Sequence, residues 1–296
     1  MQAILAQLRG VLTFLVILTN TLITIVPLLA VTLLKLLLPF KKMQTLCSAI
    51  LVRLAENWVA TNALILSLMH QIDWDVRGLE RVSRRGWYLV VCNHQSWTDI
   101  LVLQTIFSKK APFLKFFLKQ ELIWVPIMGV AWWALDFPFM KRYSKEFLAK
   151  HPELKGKDIE TTRKACEKFK EIPVSVMNFL EGTRYTPAKH DQQKSPYNHL
   201  LRPKSGGVAF VLSSMGGILH SMLDVTIVYG GNQFGFWDLM CGRVRKVTVQ
   251  VTMREIPQTL GEGDYENDPV FREQFQAWVS DLWEEKDGLI DQIRAE

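Results

Sequence analysis

His94 and Asp99, five residues apart in Asn93-His94-Gln95-Ser96-Trp97-Thr98-Asp99, are the side chains in this sequence best placed to move a proton. Histidine is close to neutral at physiological pH and accepts a proton from a hydroxyl. A carboxylate on its other ring nitrogen holds the tautomer and stabilises the imidazolium. On one continuous helix, five residues turn through about 500° and leave the two side chains about 140° apart. The pair therefore meets only if His94 lies in a loop and Asp99 in the first turn of the following helix. Ser96, with Asp99 three residues later, has capping-box character and supports that arrangement. For the pair in isolation the plainer reading is the stronger: Asp99 caps a helix and His94 is an ordinary loop residue. The rest of the sequence has to decide.

The elements around the pair read as alternating strands and helices. Trp87–Cys92 (WYLVVC) is a buried strand and about Trp97 to Phe107 a helix. Residues 158–171 form a charged surface helix, Val174–Leu180 a second buried strand, and Ser205–Met215 a helix. Asp224–Tyr229 is a third strand, Val244–Met253 a fourth, and Phe271, Phe275, Trp278 and Leu282 recur as the stripe of an amphipathic helix. This order predicts an α/β fold with a mixed, largely parallel sheet flanked by helices.

The N-terminus has a different texture. Val11 to Leu34 is a run of 24 residues without a charge, and spanning a hydrocarbon core takes about 20 apolar residues. A cleaved signal peptide usually has an apolar region of only about 7–15 residues, and no small-residue cleavage site follows here. Pro27 interrupts the run, so a kinked single span and a re-entrant or interfacial hairpin both remain open. Lys35, Lys41, Lys42 and Arg53 follow the segment and only Arg9 precedes it, which places the downstream bulk in the cytoplasm. Cys47, Cys92, Cys166 and Cys241 show no paired spacing, in keeping with a reducing compartment. Residues 46–72 read as a further helix, lying against the bilayer or against the core. The expected organisation is a membrane-associated helical part over 1–72, with a span at about 11–34, and a second domain over 73–296.

Several chemistries lack their signatures. There is no Walker loop and no G-x-G-x-x-G after a strand, no G-x-S-x-G elbow, and no His-x-x-x-His or Cys-x-x-Cys pair that would suggest zinc. No metal is expected. The chain carries 35 Lys+Arg against 29 Asp+Glu, and its basic residues crowd positions 141–170. Beside the apolar N-terminus, such a patch is better matched to anionic lipid headgroups than to nucleic acid.

Three ordered motifs give the His–Asp pair its meaning. The first is Asn93–Asp99 itself. The second has the form K-x2-[LI]-x6-G-x12-R, met by Lys119, Leu122, Gly129 and Arg142. The third is Glu181-Gly182-Thr183-Arg184. Together they resemble the glycerolipid acyltransferase family over roughly Trp87 to Tyr229, with Asp224–Tyr229 standing at the family's fourth, apolar motif. The resemblance implies that His94 activates a glycerol hydroxyl and Asp99 orients His94. It implies phosphate binding by Arg184 and Arg142, with Lys119 a weaker ligand and Lys204 a further contact. Glu181 is expected to orient Arg184 or the acceptor hydroxyl, while Gly182 and Thr183 let the chain turn and donate to oxygen. Residues 111–140, rich in Trp and Phe, are read as part of an acyl-chain tunnel and membrane-contact wall, with a plain core role as the alternative.

The resemblance further implies a fatty acyl donor carried on CoA or acyl carrier protein, no cofactor, and a lysophospholipid acceptor, foremost 1-acyl-glycerol 3-phosphate. The implied setting is the cytoplasmic face of a bacterial inner membrane. Tyr185-Thr186 after the third motif looks like the branch holding lysocardiolipin-type and some lysophosphatidate acyltransferases, so lysophosphatidylglycerol, lysocardiolipin and lysophosphatidylinositol stay open as acceptors. Outside this class, two alternatives stand: a thioesterase or lipid hydrolase using Cys92, and a non-catalytic module that binds anionic lipid.

Overall fold

The computed structural model describes residues 2–125, 128–140, 157–170, 172–215, 217–219, 221–231 and 234–296. Two long helices, α1 (Gln2–Leu37) and α2 (Lys41–Met69), form an N-terminal hairpin. The helix runs unbroken through Pro27, so of the arrangements left open there the hairpin turn does not form, and the chain turns at residues 38–40 instead. Pro27 removes one main-chain hydrogen bond from a 36-residue helix. Pro39 disfavours helical backbone at Leu38, which is where the chain turns. Polar side chains join the two helices: Asn20 Nδ2 donates to Asn62 Oδ1 at 2.8 Å and Trp58 Nε1 to Thr21 Oγ1 at 3.0 Å. Both helices are long and apolar enough to cross a membrane. The outward side of α1, including Leu5, Leu12, Ile23, Val26 and Leu33, is uncovered by the rest of the chain.

The remainder is built on a sheet of six strands, with β1 (Asp73–Arg77), β2 (Trp87–Cys92), β3 (Leu114–Phe116), β6 (Val174–Phe179), β7 (Ser221–Tyr229) and β8 (Lys246–Glu255) in the order β1-β8-β7-β2-β6-β3. All neighbours are parallel except the antiparallel pair β7–β8. A separate pair, β4 (Leu118–Lys119) and β5 (Phe139–Met140), aligns Lys119 with Met140. The short strands β1, β3, β4 and β5 lie outside the sequence expectations, because two to five residues are too few to set up a readable alternation.

Alternate residues of β2 point to opposite faces and enter different cores. Leu89 and Val91 pack with α7 (Ser205–Ser214) and α10 (Pro269–Ala295). Tyr88, Val90 and Cys92 pack with α3 (Thr98–Phe107) and α8 (Phe236–Met240). Helices thus cover both faces of a central strand that is apolar throughout, as a parallel sheet requires. Of the other helices, α4 (Met128–Ala134) belongs to the 111–140 region. There Ala131, Ala134, Leu135 and Phe137 share a third core with Leu28 of α1 and Leu51 and Ala55 of α2. Lys35 of α1 is paired with Asp136 at 3.1 Å. The region therefore serves as the seat of the hairpin, with Trp124, Met128 and Val130 left exposed beside it. The charged stretch predicted over 158–171 is α5 (Lys157–Cys166) followed by a 3₁₀ turn, Glu167–Lys170, and α6 (Pro187–Gln193) and α9 (Thr259–Glu262) are short helices between the longer ones.

A buried ion pair ties α10 to the middle of β7. Lys286 Nζ lies 2.5 Å from Asp224 Oδ1 and donates to Val225 O at 2.7 Å and Thr226 Oγ1 at 3.0 Å. Removing one partner of a buried pair strands the other, which costs about 3–5 kcal/mol. Lys286→Met keeps the stem, loses the ammonium and leaves Asp224 with Arg254, whose Nε donates to Oδ2 at 3.2 Å; it is expected to lower unfolding stability by about 1–3 kcal/mol, measured by urea denaturation in detergent. Asp224→Asn in the same chain should recover part of the loss.

Candidate active site

The carboxyl ends of β2, β6 and β7 lie side by side, and each releases a functional segment. Register pairs Cys92 with Phe179 on one side and with Val225 on the other. Strand β7 therefore outruns β2 by the four residues to Tyr229, and its last turns of pleat flank the loop that starts at Asn93. The side chain of Asn93 completes the ladder there. Its Nδ2 donates to Ile227 O and its Oδ1 accepts from Ile227 N, both at 2.9 Å. Gln95 Nε2 donates to the same carbonyl at 2.8 Å.

From this loop His94 meets Asp99, in the first turn of α3, with Nδ1 and Oδ2 2.9 Å apart. Asp99 is fully buried, so its charge must be met by donors. Oδ2 also accepts from the N–H groups of Gln95 at 2.6 Å and Ser96 at 2.8 Å. Oδ1 accepts from the hydroxyl of Tyr229 at 2.6 Å. Asp99 reaches back to Ser96 N as a capping-box residue does, while Ser96 Oγ takes the N–H of Thr98 at 3.1 Å. The His94 ring stacks on Phe179, with centroids 3.9 Å apart and planes 14° from parallel.

Glu181-Gly182-Thr183-Arg184 follows β6 directly, and here the structure corrects an expectation. Glu181 is fully buried, and among the described residues its hydrogen bonds go to backbone N–H groups and not to Arg184. Its Oε1 accepts the His94 N–H at 2.7 Å and its Oε2 the Leu201 N–H at 3.0 Å. Tyr185 N–H then donates to His94 O at 2.7 Å. Both sides of the His94 peptide are thus held by residues four apart in one turn. Gly182 makes the turn with φ of +64°, and a Cβ there would come 3.1 Å from Cδ of Lys204. Lys204 lies across Gly182 because its N–H donates to Leu180 O at 2.7 Å, and α7 begins at the next residue. The guanidinium of Arg184 sits over the exposed ring of Trp97, 4.9 Å from its centroid. Lys189 Nζ donates to Thr183 Oγ1 at 2.7 Å and to Arg184 O at 3.0 Å, bracing the turn.

The structure accordingly brings His94, Asp99, Glu181, Gly182, Thr183, Arg184 and Lys204 together. Lys119 is exposed on β4, and among the described residues no hydrogen bond or ion pair joins it to this group. Gly129 is in α4, where a Cβ would come within 2.0 Å of Ile123 O. Arg142 lies outside the described residues, as do Lys141, Lys145, Lys150 and Lys155 of the basic stretch. Cys92 is wholly buried at the end of β2, and burial pushes its thiol well above the ordinary value. That is the setting of an inert cysteine rather than a nucleophile.

A family model described as Acyltransferase matches residues 73–230, more than half of the chain. The chain belongs to the acyltransferase family. The 1-acyl-sn-glycerol-3-phosphate acyltransferase gamma of Mus musculus is 25% identical over 252 residues, 81% of this chain and 60% of that protein. The 2-acyl-1-lysophosphatidylinositol acyltransferase of Saccharomyces cerevisiae is 25% identical over 240 residues, 69% of this chain and 60% of that protein. This acyltransferase chain spans about 60% of the length of the curated relatives it matches. The crystal structure of the 1-acyl-sn-glycerophosphate (LPA) acyltransferase, PlsC, from Thermotoga maritima aligns with a TM-score of 0.54 over 100% of this chain and 99% of that one. At 16% identity that likeness is one of fold, with its mixed sheet flanked by helices and its apolar N-terminal helical segment.

Sequence reasoning missed Asn93, Phe179, Tyr185, Lys189 and Tyr229 as parts of the site. Tyr229 stood in the fourth motif as an apolar strand residue, and only its nearness to α3 gives the hydroxyl a partner.

Burial moves Glu181 from 4.5 to about 7, against the two backbone N–H donors that favour the anion. Between those values the folded chain holds a proton at this site that the unfolded chain has released. Raising pH through the window therefore removes stability. Glu181→Gln should flatten that slope in unfolding measurements at pH 5, 6 and 7. It should also cost about 1–3 kcal/mol at pH 5, because an amide NH₂ cannot accept the second N–H.

Proposed function

We propose that this chain is a membrane-bound O-acyltransferase. It moves a fatty acyl group from a thioester, on CoA or acyl carrier protein, to a free hydroxyl of a lysophospholipid. The observation that carries the reading is the ring of His94 held through Nδ1 by a buried carboxylate at 2.9 Å. With Nδ1–H given to Asp99, the Nε2 lone pair is the one that can take a proton. The acceptor hydroxyl loses its proton to Nε2 as its oxygen bonds to the thioester carbon. The resulting oxyanion collapses and breaks the carbon–sulfur bond, and imidazolium returns the proton to the leaving thiolate. The hydroxyl is itself the nucleophile, so neither an acyl-enzyme nor a cofactor is required.

The acceptor's phosphate is assigned to Arg184 and Lys204, with Arg142 the further cation that the motif supplies. Arg184 offers a planar fork suited to a phosphate, and Lys204 adds charge beside the N-terminus of α7. The names of the relatives favour 1-acyl-glycerol 3-phosphate first and lysophosphatidylinositol second. The α1–α2 hairpin is assigned to the bilayer, where both acyl chains reside. The Lys and Arg excess after α1 lies at the hairpin turn, which Lys35 joins to the catalytic part through Asp136, and it supports a site on the cytoplasmic face of a bacterial inner membrane.

The test crosses acyl-CoA and acyl carrier protein donors with lysophosphatidate, lysophosphatidylglycerol, lysophosphatidylinositol and lysocardiolipin. His94→Ala should lower kcat by roughly 10²–10⁴-fold, and full activity in that variant would sink the mechanism. Arg184→Lys should raise the acceptor KM about tenfold with little change in kcat, since bidentate contact is lost while charge is kept. Cys92→Ala should leave turnover intact; its loss, with His94→Ala active, would point to a thiol hydrolase.

A further inference from the structure

Resting on that reading, we infer that Tyr229 is a positioning residue for the proton transfer: its hydroxyl is the third member of a His94–Asp99–Tyr229 chain and tunes how readily the pair takes a proton. The two oxygens of Asp99 are served unequally. Oδ2 receives His94 Nδ1 and two backbone N–H groups, all from the one loop. Oδ1 has Tyr229 as its hydrogen-bond partner, at 2.6 Å from a different strand. Asp99 is fully buried and Tyr229 nearly so, so water does not replace the phenol if it is lost. Burial and then the charge of Asp99 push the phenol well above its ordinary value of 10.0, which keeps it protonated and donating.

The geometry follows from register. Ile227 and Tyr229 extend β7 beyond the end of β2, and Ile227 is pinned by Asn93 and Gln95. Alternation then turns Tyr229 to the α3 face, with Val225 and Ile227 in the same core. The same strand end thus fixes the loop that holds His94 and supplies the donor that completes Asp99.

The consequence is chemical. A short bond from a neutral phenol draws negative charge from Asp99 and makes the His94–Asp99 pair a weaker proton trap. Without it the pair takes up a proton at higher pH, and less of the enzyme carries the free Nε2 that the reaction needs. Glu181 and Arg184 from the turn after β6, Cys92 from β2 and Lys286 from α10 also bear on this region. Exchanging Tyr229 for Phe leaves each of them in place.

The experiment is the pH dependence of acyl transfer by full-length Tyr229→Phe in detergent or vesicles, beside the unmodified chain and His94→Ala. The expected result is kcat lowered roughly tenfold, the scale of a lost hydrogen bond to a charged group, an acceptor KM within about twofold, and the acid limb of kcat/KM moved to higher pH. Unchanged kcat and limb would overturn the inference. So would lowered kcat with an unmoved limb, since that is what a packing role alone produces. If Tyr229→Phe fails to fold, a fluorotyrosine series at the same position keeps the shape and grades the donor. The limb should then move to lower pH as the phenol becomes more acidic, and an invariant limb overturns the proposal. Transfer by the unmodified chain with Tyr229→Phe indistinguishable from it would sink this inference alone. Absence of transfer by the unmodified chain to every acceptor would sink the acyltransferase reading as well.

Discussion

A buried carboxylate must have its charge met by donors, and at Asp99 this single requirement organises the neighbourhood. Four donors converge on a side chain that solvent does not reach: one imidazole, two backbone N–H groups and one phenol. The backbone donors demand that residues 95 and 96 curl over the start of α3, which leaves His94 at the edge of the loop with its ring against Asp99. The phenol demands that β7 run past the end of β2. Loop shape, helix start and strand length are therefore tied to one ionised group. The arrangement engages Nδ1 of His94 and leaves Nε2 without a hydrogen bond among the described residues.

The third motif completes the constraint from the other side. Glu181 and Tyr185 grip the N–H and the C=O of His94, so the residue proposed to move the proton is held by its main chain as well as its ring. The turn between them has to be tight, which Gly182 permits, and it carries Arg184 over Trp97 in the middle of the first motif. A motif that reads as a polar turn after a strand is thus two devices in one. Its first residue and the Tyr185 that follows it hold the main chain of His94, and its arginine presents a cation next to it.

The α1–α2 hairpin is joined to this machinery rather than merely appended to it. Its lower half shares a core with α4 and Phe137, and Lys35 reaches Asp136 and the carbonyl of Ala134. Lys115 in β3, next to β6 in the sheet, donates to Leu135 O at 2.8 Å. A continuous path of packed side chains thus runs from the uncovered apolar side of α1 to the sheet that carries the site.

Much of the frame was legible in the residues alone. Apolar runs at Trp87–Cys92 and Val174–Leu180 are strands because only β-rich, unbroken hydrophobic segments suit a sheet buried on both faces. The five-residue spacing of His94 and Asp99 forced a loop-then-helix geometry by helical arithmetic. The uncharged run from Val11 announced, by its length, a helix apolar enough to cross a membrane. What the residues could not state was pairing across the chain. Glu181 looked like a partner for arginine until strand order put the His94 N–H beside it. Tyr229 looked apolar until the parallel register of β2 and β7 set its hydroxyl against Asp99. The place of the hairpin turn, at Leu38-Pro39 rather than at Pro27 where the sequence left a kink and a turn both open, likewise depended on which turns could keep their hydrogen bonds. Local sequence determined which groups were available and what each could do. Tertiary structure alone decided which of them meet, because that depends on strand order and register between segments 87 and 130 residues apart.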